Sequence, residues 1–139
     1  ESYEAEAALV LESQVITPSV LPSGFWIRSG DGNVPDQLDL SPLWRALLDC
    51  GLCDGAELFH GTLAAGLTEL AISALRRRGL SEIVLSGGCV GNQVLTESLV
   101  ANLSRHGIAV LLPRRLPPTD GALSLGQVFT VAQQLAKRT

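Results

Sequence analysis

The second half of this chain alternates in a way few folds accommodate. A short apolar run over 82–86 leads through Ser86-Gly87-Gly88 into a segment, 92–106, that carries Leu95, Leu99 and Leu103 at helical spacing. After Gly107 comes a continuously apolar run, Ile108-Ala109-Val110-Leu111-Leu112, then a proline-rich loop over 113–119 and a last helical pattern over 121–137. Two strands separated by a helix pair in parallel, and their sheet must be covered by helices. The reading is therefore α/β, a mixed sheet covered by helices, and a helix bundle is excluded. A run with no polar interruption predicts that 108–112 is buried on both faces.

The first half supplies the cover. Residues 2–13 read as a helix capped by Ser2, with Ala8, Leu11 and Val15 at helical spacing. A loop spans 14–24. Phe25–Arg28 reads as a strand, and after the turn signal Asp31-Gly32-Asn33 the segment Gln37–Leu40 is a candidate partner, which Pro35 either weakens or places at an edge. Ser41-Pro42 starts a helix that runs to Cys50 and stops at Gly51. A longer helix opens at Asp54, carries the stripe Phe59, Leu63, Leu67, Leu70 and Ala74, and ends with Arg76-Arg77-Arg78 before Gly79.

Composition narrows the function. The 139 residues fit one domain, and 46% apolar against 17% charged residues favours a packed core over disorder. Net charge is −4 with no basic tract, so nucleic acid is not an expected partner. No apolar run approaches the roughly 20 residues of a membrane span, and no basic region precedes an apolar stretch at the start, so neither membrane insertion nor a signal peptide is expected. Three cysteines argue against a disulfide framework and fit a reducing, cytoplasmic setting.

The chemistry concentrates at the two strand-to-helix junctions. Gly87-Gly88 lets a backbone approach a ligand, and the helix that follows is expected to offer free N–H groups and a positive dipole end. Asn92 is placed either to cap that helix or to bond a ligand. The same turn with no ligand is the plainer alternative. Asp120, between Thr119 and Gly121, is either an N-cap or a ligand for a hard cation. Small residues at Gly121, Ala122 and Gly126 would let this helix start lie against the Gly87-Gly88 turn.

Other candidates carry less. Cys50-Gly51-Leu52-Cys53 has dithiol spacing, but it closes a helix on this reading and has no second ligand pair for zinc. Cys89 reads as a small buried thiol. His60 reads as an ordinary structural residue, and His106 sits in a helix's last turn, where the dipole accounts for it. Glu4 reads as a first-turn acid.

Several segments together resemble the HypF family, the carbamoyltransferases of [NiFe]-hydrogenase maturation. They are Ser2-Tyr3-Glu4 with Ala7-Ala8 and Leu11-Glu12; Leu58-Phe59-His60 with Thr62-Leu63-Ala64; Leu85-Ser86-Gly87-Gly88 with Asn92; and Arg114-Arg115-Leu116-Pro117-Pro118-Thr119-Asp120-Gly121 with Leu123-Ser124-Leu125-Gly126-Gln127. The last two sets are the specific ones. The resemblance implies the second lobe of an actin-like ATPase (ribonuclease H-like) domain, similar to threonylcarbamoyl-adenosine tRNA modification enzymes.

It also implies that Gly87, Gly88 and Asn92 contact ATP or carbamoyl-adenylate. Asp120 matches the family's metal-ligating Asp, for zinc, iron or magnesium shared with a His pair upstream of this chain. The implied chemistry hydrolyses carbamoyl phosphate, adenylates carbamate with ATP, and passes the carbamoyl group to the C-terminal cysteine of a HypE-like partner. The lobe alone is not expected to be competent.

Departures from the pattern fall at Ala5, where the family usually has Gly; at Cys89, Val90 and Gly91, where it reads Val-Phe-Gln; and at Thr119 and Ala122, where it reads Asn and Gly. An Ala5 methyl would crowd a nucleotide if that position approaches one. Two alternatives stay open: half of another actin-like kinase, or a non-enzymatic truncated paralogue that docks a partner or forms a homodimer.

Overall fold

A computed structural model describes residues 5–31 and 34–137. The Ser2 cap, Glu4 and the tip of the Asp31-Gly32-Asn33 turn lie outside the described residues. The elements run α1 (Glu6–Ser13), β1 (Trp26–Arg28), β2 (Gln37–Asp39), α2 (Ser41–Leu47), α3 (Leu52–Arg78), β3 (Glu82–Val84), a 3-10 turn (Gly88–Gly91), α4 (Gln93–Arg105), β4 (Ala109–Leu111), a second 3-10 turn (Asp120–Ala122) and α5 (Leu123–Ala136). The alternation holds, although each strand is only three residues long. Helix α1 stops at Ser13, so Val15 lies beyond it.

The strands form two separate ribbons rather than one continuous sheet. β1 and β2 pair antiparallel, with Ile27 opposite Leu38. β3 and β4 pair parallel, with Ile83 opposite Val110, and α4 connects them as the β-α-β pattern requires. Leu85 N–H donating to the Leu111 carbonyl at 3.0 Å extends this ladder towards the glycine turn.

Helix α3, 27 residues long, is the axis of the body and touches α1, α2, α4, β1 and β2. Because it is approached from several sides, no single stripe is buried. The expected stripe of Phe59, Leu63, Leu67, Leu70 and Ala74 is only half-buried, whereas Ala56, His60, Gly61, Thr62, Ala64, Gly66, Thr68, Ile72 and Leu75 are buried.

Small residues are needed there because neighbours come close. A β-carbon at Gly61 would stand 2.1 Å from the Ser19 carbonyl oxygen, and one at Gly66 would stand 2.8 Å from Leu38 Cδ1. The 14–24 loop is laced to the same helix. Ile16 and Thr17 donate their N–H groups to Glu57 Oε1, and Leu21 donates to Thr62 Oγ1 at 2.9 Å. By length and composition α3 could cross a bilayer, which corrects the expectation that no segment approaches that length. Its enclosure on several sides instead makes it the core helix of this body.

Two apolar clusters fix α4 to this axis: Leu103 and Ile108 with Ile72 and Leu75, and Leu95 and Leu99 with Ala64. Leu95, Leu99 and Leu103 face inward as their spacing predicts. β4 departs from expectation. Its residues alternate, with Val110 half-buried but Ala109 and Leu111 exposed, so one face is bare. Helix α4 packs on β4, whereas among the described residues the main packing of α5 is with the short turn that precedes it.

Candidate functional site

The two junctions picked out by sequence do meet. Gly87 adopts φ 109°, ψ 169°, a conformation that disfavours any side chain. This turns its N–H onto the Pro118 carbonyl at 2.7 Å, and Ser86 Oγ donates to the same oxygen at 3.4 Å. The double-glycine turn is thereby tied to the loop that delivers Asp120. Ser86, Gly87, Pro118, Asp120, Gly126 and Thr130 are among the residues lining an open cleft of about 680 Å³.

Within the turn, Val90 N–H donates to the Gly87 carbonyl and Asn92 N–H to the Cys89 carbonyl. The first N–H groups of such a turn, on Gly88 and Cys89, have no internal partner. Both residues are exposed, which corrects the reading of Cys89 as a buried thiol. Gly88 has neither a positive φ nor any atom within 4 Å of where its β-carbon would stand. The chain itself does not require glycine there, so its bare backbone fits a site kept open for a close-lying ligand.

The free helix N-terminus expected behind the turn is not free. Gln93 and Val94 donate to Glu12 Oε1 of α1 at 2.6 and 3.3 Å. Leu95 donates to Asn92 Oδ1 at 2.8 Å and Thr96 to the Asn92 carbonyl at 3.0 Å. All four leading N–H groups of α4 are consumed, the first two by a carboxylate at the positive end of the helix. An anion would have to be held by the turn's own N–H groups.

Asn92 is therefore a cap, and its amide also donates from Nδ2 to His60 Nε2 at 2.9 Å. Its second amide hydrogen and second carbonyl lone pair remain for a ligand. His60 is 1% exposed, and its Nδ1 lies 2.8 Å from the Ala56 carbonyl. Composition gave no hint of the Glu12 contact. The His60 contact had a signal: a histidine inside an apolar helix must find partners for both ring nitrogens.

Asp120 is exposed at the start of its 3-10 turn, where Thr119 stands at the cap position, and among the described residues its carboxylate makes no hydrogen bond or ion pair. The capping alternative therefore does not describe it. Among the described residues no group of three or more His, Cys, Asp or Glu gathers to hold a metal. Asp120 fits one ligand of a hard cation whose other ligands come from elsewhere.

The Cys50/Cys53 spacing does not close a helix as expected. Cys50 lies in the link after α2, and Cys53 lies in the first turn of α3 because α3 starts at Leu52. Cys50 Sγ donates to the Ala46 carbonyl and Cys53 Sγ to Gln14 Oε1. Near the C-terminal end of α3, Asp36 is clamped. The Gly30 N–H first, then Arg77 and Ser73, hold its carboxyl below its ordinary range.

The fold with this pair of junctions is that of the Kae1-like lobe of the actin-like class. The chain is similar to a solved structure, "full-length HypF in the phosphate- and nucleotide-bound form", with a TM-score of 0.81 and 26% identity over 91% of this chain and 17% of that one. The chain belongs to the family described as "Carbamoyltransferase, Kae1-like Domain, second subdomain", whose model matches residues 1–127. A carbamoyltransferase HypF of Rhizobium leguminosarum bv. viciae is 40% identical over 91% of this chain. A tRNA N6-adenosine threonylcarbamoyltransferase of Nostoc punctiforme is 35% identical over 54% of the chain. The chain spans 16% of the length of the former and 22% of the latter.

Proposed function

We propose that this chain forms one wall of a nucleotide and metal cleft in a HypF-type carbamoyltransferase. Gly87, Gly88 and Asn92 line the phosphate side of ATP or carbamoyl-adenylate, and Asp120 supplies one ligand to a divalent metal. The observation that carries this reading is the 2.7 Å bond from Gly87 N–H to the Pro118 carbonyl, which holds the bare glycine turn beside the unpartnered Asp120 carboxylate. The residues fit such a ligand: Gly87 and Asp120 line one cleft, and the exposed Gly88 and Cys89 follow Gly87 directly in the turn.

A nucleotide bound there supplies the adenylate that activates carbamate for transfer. The chain's own contribution is to place N–H donors against phosphate oxygens and to hold the metal-binding carboxylate at a fixed distance from them. Membership of the family supports carbamoyl phosphate and ATP as substrates of the whole enzyme, a HypE-like protein as acceptor, and the cytoplasm as the setting. A single wall leaves few contacts to offset ordering costs, so the lobe binds nucleotide weakly and does not catalyse transfer alone.

Titrating ATP and magnesium into isotopically labelled chain tests this. Amide shifts at Gly87, Gly88, Asn92 and Asp120 are expected, with the magnesium-dependent part lost in Asp120→Ala. No response at these amides, or one centred elsewhere, would sink the reading. Pyrophosphate exchange driven by carbamoyl phosphate with this chain alone would overturn the claim that the lobe is incomplete.

A second reading is favoured by one observation. Helix α5 exposes Leu123, Leu125, Val128, Phe129, Val131 and Leu135. An apolar helix this exposed among the described residues suits docking against further protein, including a second copy of this chain. A sedimentation series giving a monomer at every concentration would remove the homodimer.

A further inference from the structure

We propose that His60 is a positioning residue for the glycine turn: through Asn92 it sets the orientation of the cap that fixes the turn's exit. The argument starts from the Ala56 carbonyl. A carbonyl can only accept, so the His60 Nδ1 atom 2.8 Å away carries the proton. In the neutral ring Nε2 then carries a lone pair, and it faces Asn92 Nδ2 at 2.9 Å. That leaves Asn92 Oδ1 to accept from Leu95 N–H at 2.8 Å. With the amide turned over, an NH2 would face the Leu95 N–H and an oxygen would face the Nε2 lone pair, and both contacts would be repulsive. The tautomer of one buried ring thus dictates which way Asn92 points.

Asn92 is in turn bonded into the glycine turn, because its backbone N–H donates to the Cys89 carbonyl. Thr96 Oγ1 adds a bond to the Val90 carbonyl at 3.0 Å. The segment Gly87–Asn92 is therefore anchored at its entry to the Asp120 loop and at its exit to a histidine on α3. The Glu12 carboxylate holds the first two N–H groups of the same helix end. His60 is not among the residues lining the cleft, so its effect there runs through Asn92. The consequence for nucleotide rests on the function proposed above, but the anchoring itself does not.

The experiment compares wild type with His60→Leu, which removes both bonds, and His60→Gln, whose amide can donate and accept in their place. Hydrogen exchange at Leu95, imidazole nitrogen spectra, thermal melting and the ATP-magnesium response at Gly88 are read together. The wild-type ring is expected as the Nδ1–H tautomer. His60→Leu should speed Leu95 exchange about 3- to 10-fold and weaken the Gly88 response by a similar factor, the effect of one net hydrogen bond. His60→Gln should restore most of both.

An Nε2–H tautomer, or a His60→Leu chain that melts lower while Leu95 exchange stays at the wild-type rate, would overturn the proposal. If His60→Leu does not fold, Asn92→Asp answers the same question. It keeps the cap acceptor but sets a carboxylate against Nε2, so the ring should take up a second proton. An unchanged ring spectrum would overturn the proposal. A wild-type chain with no ATP response would remove the nucleotide reading while leaving the tautomer and exchange results to decide the anchoring.

Discussion

Helices α3 and α5 are both apolar, yet they live in opposite surroundings. α3 is enclosed by five elements and keeps glycine, alanine and threonine where neighbours press against it. α5 is exposed along its length and carries large side chains, none of them buried. The bare outer face of β3 and β4, with Val84 and Leu111 exposed, continues the same contrast. α3 itself has its small-residue positions packed within the chain. The α5 side has apolar surface of the kind a core uses, without the cover, and the candidate cleft lies along that unfinished side.

The sharpest way to break this contrast is to remove a large side chain from each half. Leu103 is 1% exposed and Phe129 is 63% exposed. Leu103→Ala should cost about 2–5 kcal/mol in urea unfolding, from lost burial plus a cavity. Phe129→Ala should stay within about 0.5 kcal/mol. A comparable loss at Phe129 would show that α5 is covered in solution, and a loss that grows with protein concentration would identify the cover as a second copy.

The same substitution in two glycines should then change sign. Gly61→Ala sets a methyl against the Ser19 backbone, which cannot yield as a side chain can, and should cost about 1–3 kcal/mol or more. Gly126 lies in α5 with open space around it. Gly126→Ala should stabilise the chain by about 0.5–1 kcal/mol, the ordinary helix preference. Because Gly126 lines the cleft, the same change should weaken the ATP-magnesium response, and a stabilised chain with full response would detach α5 from the site.

The contrast also marks what sequence could show. Helix α4 was legible because one side of it is buried, so Leu95, Leu99 and Leu103 recur at one spacing. The buried face of α3 was not, because a helix wrapped by five elements has no single stripe. Which of its small residues is approached depends on a loop, 14–24, that is remote in sequence. The apolar run 108–112 promised burial on both faces, and its composition is consistent with a cover that the described residues do not supply. At the site, the meeting of Gly87 with the Asp120 loop followed from two parallel strands ending side by side. The occupation of the α4 N-terminus did not, since Glu12 arrives from the first helix and nothing near Gln93 announces it.

Ala5 gives the smallest predicted effect, and it separates two explanations of one departure from the family pattern. The expectation was that a methyl there would crowd a nucleotide. The structure offers a nearer cause: Ala5 sits at φ 63°, ψ 10°, the left-handed region, as it leads into α1. Holding alanine there costs roughly 1–2 kcal/mol, and glycine's greater unfolded-state freedom returns about half of that. Ala5→Gly should therefore stabilise the chain without nucleotide by about 0.5–1 kcal/mol in urea unfolding. If stability is unchanged and only the ATP response rises, the backbone explanation fails and the crowding one stands. The distinction matters because α1 carries Glu12. A strained entry to α1 loads the element that holds the first turn of α4, so relieving it should also slow exchange at the Gln93 amide.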